Sequence, residues 1–207
     1  GLRGLLEDGY VVSAVYSYQE ITGQAIYYRV RMDHPTKGKT IRPLHHVAGD
    51  VLELGEPDSI KHGPKPLYGL PLLTRAAAHV WLVEGEKCAD TLNAAFARLG
   101  VADAHIALTS GSASSADKAD WQPLVGRRVT IWPDNDEAGQ RYAVAAQKML
   151  AAIGCEVALL AVDRLDLCEG EDCVEWLEAD PQATLSDLLA LPTLKPEPDV
   201  NMVCMAE

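Results

Sequence analysis

The sequence predicts an α/β fold: a parallel sheet with flanking helices, preceded by a small antiparallel β-rich region. Three observations carry that expectation. His79–Val83 and Val129–Trp132 are unbroken apolar runs of the kind that fill strands buried on both faces. Each run ends in a short acidic, glycine-bearing turn and is followed by a helical stripe. Between residues 11 and 47 the pattern is different, with strand-like runs separated by turn residues.

Taken in order, Leu2, Leu5 and Leu6 predict one helical turn ending at Gly9. Val11–Tyr18, Ala25–Met32 and Thr40–Val47 read as an antiparallel meander, with turns at Ile21–Gln24 and His34–Lys39. Residues 48–73 are rich in Gly and Pro and read as a loop-rich domain boundary. After His79–Val83, residues Leu92, Ala95, Phe96 and Leu99 recur at i, i+3, i+4 and i+7, with Gly100 as a C-terminal cap. Ala104–Leu108 reads as a short strand, and Trp121, Pro123 and Leu124 as a cover for the core. Tyr142, Ala146, Met149, Leu150 and Ile153 form the apolar face of the helix after Val129–Trp132. Cys155–Val162 closes the series of strands. The expected division is 1–73, 74–192 and a linker or tail over 193–207.

The candidate chemistry lies at the strand ends. Asp134 and Asp136 follow one buried run, and Glu84 follows the other. In a parallel sheet these ends share one rim, which is where open α/β sheets bind ligands. Two hard oxygen ligands two residues apart suit Mg²⁺ better than a softer metal. The same pair would serve equally to turn the chain and cap the helix. Three carboxylates on one rim repel unless a divalent cation neutralises them.

Net charge is −12, which by itself argues against a nucleic-acid partner. The distribution is uneven, however. Residues 1–80 carry nine Lys/Arg and eight Asp/Glu, whereas 81–207 carry nine and 22. Tyr27, Arg29 and Arg31 share one strand face, and Lys37, Lys39 and Arg42 follow. An aromatic beside spaced cations can track a single-stranded nucleic-acid backbone, and a solvated sheet face is the alternative. Lys61, Lys65 and Lys87 are candidates for a nucleotide phosphate, with ordinary loop placement as the alternative. Thr109–Ser115 is small and polar, so the backbone at Ser110 and Gly111 can approach phosphate, or the segment simply connects. No apolar run has transmembrane length and no signal peptide is present. The five cysteines contain no Cys-x-x-Cys pair and form no zinc ribbon pattern, and they fit a reducing, cytoplasmic setting. A start at Gly1 reads as a fragment or processed form.

A strand ending in Glu84-Gly85, followed about fifty residues later by a strand ending in Asp134-Asn135-Asp136, resembles the Toprim domain of bacterial-type primases. The resemblance covers about residues 78–178. Val83–Lys87 and Pro133–Gly139 look most like the primase and primase–helicase proteins of phages and integrated elements. It implies a Rossmann-like Toprim sheet and a DNA-replication enzyme that makes RNA primers on single-stranded DNA from NTPs. It also implies Mg²⁺, with Mn²⁺ able to substitute, held by Asp134, Asp136, Asp172 and Glu84, with Glu84 also a candidate acid or base. Further implications are a basic template-holding region before Toprim, a Gly/Ser-rich loop at Ser110 and Gly111, and a helicase partner, fused or separate. Lys65–Leu70 resembles a segment found just before Toprim in primases. The chain departs from the pattern at Cys88, where many relatives have Asp, and Glu86 or Asp90 are the available substitutes. A Toprim nuclease is the alternative activity, a topoisomerase lacks a recognisable tyrosine nucleophile, and a non-catalytic binding module is the reading from outside enzymology.

Overall fold

A computed structural model describes residues 1–48, 51–74 and 79–194. The first part begins with α1 (Leu2–Glu7) and continues as an antiparallel meander, β1 (Val11–Gln19), β2 (Ala25–His34), β3 (Gly38–Ala48) and β4 (Val51–Leu54), in that spatial order. β1 to β3 match the strands read from the sequence. β4 lies inside the stretch expected to be loop, and its four residues are all exposed. An edge strand with neither face covered leaves no alternation of burial to write into its sequence. A short helix, α2 (Asp58–Lys61), follows.

The second part is a parallel sheet in the order β6-β5-β7-β8, built from β5 (His79–Val83), β6 (His105–Thr109), β7 (Arg128–Ile131) and β8 (Glu156–Leu159). α3 (Glu86–Arg98) follows β5 and α4 (Glu137–Ala152) follows β7. α5 (Cys173–Ala179) and α6 (Leu185–Leu189) complete the described chain. All five residues of β5 are buried, which is why it reads as a continuous apolar run. Tyr142, Ala146 and Leu150 of α4 pack with Leu82, Ile106 and Ile131 in one core; Leu92 and Phe96 of α3 pack with Trp81 and Ala107 in another. The antiparallel-then-parallel α/β architecture is therefore the one the sequence predicts. Leu67 and Leu70 already belong to the parallel-sheet core, and Tyr68 N–H donates to Thr109 O at 2.8 Å, which pairs Tyr68 with the end of β6. Of the expected tail, residues 195–207 lie outside the described residues. Among the described residues, no helix is long and apolar enough to cross a membrane.

Tyrosines join the two sheets. Tyr16, Tyr18 and Tyr27 are buried with Ile60, the Tyr18 and Tyr27 rings stack at 4.6 Å, and Tyr68 meets Tyr16 edge-on at 5.7 Å. The β2 face that carries Tyr27, Arg29 and Arg31 is thereby turned toward the carboxyl ends of the parallel strands.

Candidate functional site

β5 and β7 are direct neighbours, with Leu82 opposite Ile131, so the residues after them arrive side by side. Glu84 lies just beyond β5 and Asp134 three residues beyond β7. The Asp134 N–H donates to Glu84 Oε1 at 3.2 Å. The turn between them is tight: a Cβ at Gly139 would meet Glu84 Oε1 at 2.6 Å and collide with the Asp134 carbonyl oxygen. Asp136 caps α4, accepting from the Gly139 N–H at 2.7 Å. Asp172 caps α5 in a reciprocal capping box with Glu175. Glu84, Asp134, Asp136 and Asp172 all line one cleft of about 350 Å³. Capping and rim placement are thus compatible at both Asp136 and Asp172, since a carboxylate has more than one oxygen to offer.

Burial pushes the Glu84 carboxyl up to about 7, reinforced by the charges of Asp136 and Asp172 and opposed by the Asp134 N–H. Asp134 is likewise raised to about 7, by burial first and then by the charges of Glu84, Asp172 and Asp136. Lys39 acts against that rise. Mutual repulsion among these carboxylates is the electrostatic state that a divalent cation would relieve.

The basic residues divide by face. Register pairs Arg29 with Pro43 and Arg31 with Ile41, so Lys39, Ile41 and Pro43 share the cleft side of the meander. Arg31 and Lys39 line the carboxylate cleft, and Arg31 also pairs with Asp33 at 3.2 Å. Arg42 lies opposite Val30 on the other face, its guanidinium held by Thr40 Oγ1 at 2.7 Å. Lys37 pairs with Asp8 at 2.6 Å. Arg29 reaches the cleft wall but is engaged there: Nη1 lies 2.7 Å from Glu86 Oε1 and donates to Tyr18 Oη and to Gly111 O, at 3.1 and 2.7 Å.

The phosphate candidates also separate. Lys87 is exposed on the cleft wall. Lys65 is ion-paired with Glu56 and donates to Ile60 O at 2.6 Å, and Lys61 sits 3.9 Å from Asp58. Ser110 Oγ is shared between Tyr142 Oη and Ser115 Oγ, at 2.8 and 2.7 Å, which anchors the small polar loop to α4. Gly111, at φ +98, gives its carbonyl to Arg29, and a Cβ there would strike that guanidinium.

Neither proposed substitute for the missing Asp is free to act as one. Glu86 is taken by Arg29 and Tyr18, and Asp90 accepts from Tyr68 Oη at 2.9 Å. Cys88 lies in the first turn of α3 and lines the cleft, and its Sγ donates to Asp172 Oδ2 at 3.0 Å. α3 begins earlier than its apolar stripe, which is why Cys88 sits at the rim. Cys173 carries no motif that singles it out in the sequence.

Fold and site together define an α/β domain with an acidic strand-end rim facing a basic antiparallel sheet. No family model and no curated protein sequence matches the chain. Among solved structures, it is similar to a chain of the bacteriophage T7 lagging-strand DNA polymerase interacting with the primase domains of two gp4 subunits bound to an RNA/DNA hybrid and dTTP. That match has a TM-score of 0.54 and 17% identity, over 87% of this chain and 78% of that one. The Aquifex aeolicus primase, with its zinc-binding and RNA polymerase domains, matches at TM-score 0.48 and 17% identity, over 86% of this chain and 43% of that one. The primase fragment of the T7 primase–helicase protein matches at 0.43 and 19%, over 71% and 52%. The fold is a primase-like one, with low sequence identity throughout.

Proposed function

We propose that the chain is the catalytic core of a DNA primase, synthesising RNA primers on single-stranded DNA by nucleotidyl transfer. The observation that carries this reading is the convergence of Glu84 and Asp134 at one end of a cleft whose other wall presents Arg31 and Lys39. The acidic rim suits the triphosphate's cation and the basic sheet suits a template backbone.

Asp134, Asp136 and Asp172, with Glu84 beside them, fit Mg²⁺ or Mn²⁺, because they supply hard, anionic oxygens at a solvent-reachable cleft. A cation bound there supplies electrostatic stabilisation of charge on phosphate oxygens. Arg31 and Lys39 hold the template backbone, and Lys87 lies within the same cleft for a phosphate of the incoming NTP. Glu84, at the same cleft, would take the proton of the primer 3′-hydroxyl as general base. The 3′-oxygen then bonds to the α-phosphorus as the bond to pyrophosphate breaks. A helicase, fused or separate, is the partner that would deliver single-stranded template.

The test is incubation with single-stranded DNA, labelled NTPs and Mg²⁺ or Mn²⁺, reading primer synthesis and strand cleavage together. Short RNA products from the wild type and none from Asp134→Asn are expected. Strand cleavage without primers would replace the polymerase reading with the Toprim nuclease.

A further inference from the structure

Cys88 and Cys173 come from different helices, 85 residues apart in sequence, yet they meet beside Asp172. One ligand atom from each of Cys88, Asp172 and Cys173 can be chosen so that all lie within 4.8 Å of one another. Both thiols are free and buried, at 6% and 1% exposure. Cys173 Sγ contacts the Cys88 carbonyl oxygen at 3.8 Å. Cys88 and Asp172 border the acidic cleft, so the cluster is closed on the Cys173 side and open toward the cleft.

We propose that Cys88, Cys173 and Asp172 bind a thiophilic divalent cation of the Zn²⁺ class, at a site distinct in chemistry from the all-oxygen rim. Two sulfurs and one carboxylate oxygen form a borderline-soft donor set that selects Zn²⁺ or Cd²⁺ over Mg²⁺. A tetrahedral Zn²⁺ spaces two thiolates about 3.8 Å apart, given Zn–S bonds of about 2.3 Å, so the observed cluster needs little closure. Three protein ligands leave a fourth position, which points to the cleft and takes water or an anionic oxygen. Asp172 belongs to both donor sets. Occupancy by Zn²⁺ therefore withdraws one carboxylate from the rim, and any activity that uses the rim falls as Zn²⁺ rises. The binding itself stands whether or not the chain polymerises nucleotides.

The probe is Cd²⁺, titrated into the chelator-treated full chain in reducing buffer, with the cadmium–thiolate charge-transfer absorption as readout. The expected result is saturation at one ion per chain. Cys88→Ser should halve the amplitude and weaken binding at least about tenfold, the scale at which even outer partners of a metal act. Cys155→Ser and Cys168→Ser should change nothing. Loss of the signal in those two variants, or its survival in Cys88→Ser/Cys173→Ser, overturns the site. Because Cys173 is buried and its serine variant carries a folding risk, X-ray absorption of the Zn²⁺-loaded wild type gives a second, mutation-free reading. Two sulfur scatterers at about 2.3 Å are expected, and a shell of oxygen and nitrogen alone overturns the proposal.

Discussion

Arg29 of β2 and Glu86 of α3 hold their charges 2.7 Å apart across the junction of the antiparallel and parallel sheets. Tyr18 Oη donates to the same carboxylate at 2.8 Å, and Gly111 O accepts from the same guanidinium. The pair thereby fixes the basic sheet against the carboxylate rim and the small polar loop at once.

Arg29 should accordingly behave as a structural residue. Its side chain is 19% exposed and that of Glu86 only 4%, so Arg29→Met leaves a buried carboxylate without its cation. Urea denaturation should register a loss of about 3–5 kcal/mol. Adding Glu86→Gln to the same chain should recover about 1 kcal/mol or more, because neighbours in one network are not additive. A loss no larger than that of a surface charge would mean that the sheets are held by the tyrosines alone.

The face of the meander decides which cations meet a single strand. Arg31→Ala and Lys39→Ala should each reduce the slope of log affinity against log salt by about 0.7, the increment for one phosphate contact on single strands. Arg42→Ala, on the opposite face, should leave the slope unchanged. Equal effects from all three would show that the protein attracts DNA by its general field and not through this cleft.

The metal-free rim should make the protein more stable in mild acid. Glu84 and Asp134 are raised from 4.5 and 3.8 to about 7, so the folded chain retains protons that the unfolded chain has already released. Their unfavourable contribution is absent below about pH 4, grows between about pH 4 and 7, and is complete above. In chelator, the urea midpoint should fall between about pH 5 and pH 8, and Glu84→Gln should flatten that fall. Exposed carboxylates such as Asp8 and Asp187 are shifted downward and act at lower pH, so they do not imitate it. A midpoint that rises over the same interval would contradict the assigned electrostatics.

Gly139 is required by close approach and not by backbone conformation. Gly139→Ala places a methyl on the Asp134 carbonyl oxygen and 2.6 Å from Glu84 Oε1. Overpacking of this kind costs about 1–3 kcal/mol. It should also weaken Mn²⁺ binding measured by calorimetry, since Glu84 and the Asp134 turn cannot both stay in place. Ala in place of Gly4, where a Cβ would meet nothing within 4 Å, is the matched control.

The strand-end rim was legible in the sequence because its determinants are local. Unbroken apolar runs specify buried parallel strands, and their carboxyl ends must share a rim, so Glu84, Asp134 and Asp136 could be grouped without coordinates. Asp172 rested on family resemblance, and the structure adds why it reaches the cleft: α5 begins there. What the sequence left open depends on how the two sheets dock. Alternation placed Tyr27, Arg29 and Arg31 on one face but could not tell which of them would be buried. Docking sends Tyr27 into a core, Arg29 to Glu86, and leaves Arg31 and Lys39 in the cleft. The meeting of Cys88 and Cys173 was invisible for the same reason. Distances between groups remote in sequence are set by tertiary packing, and no periodicity in a single chain records them.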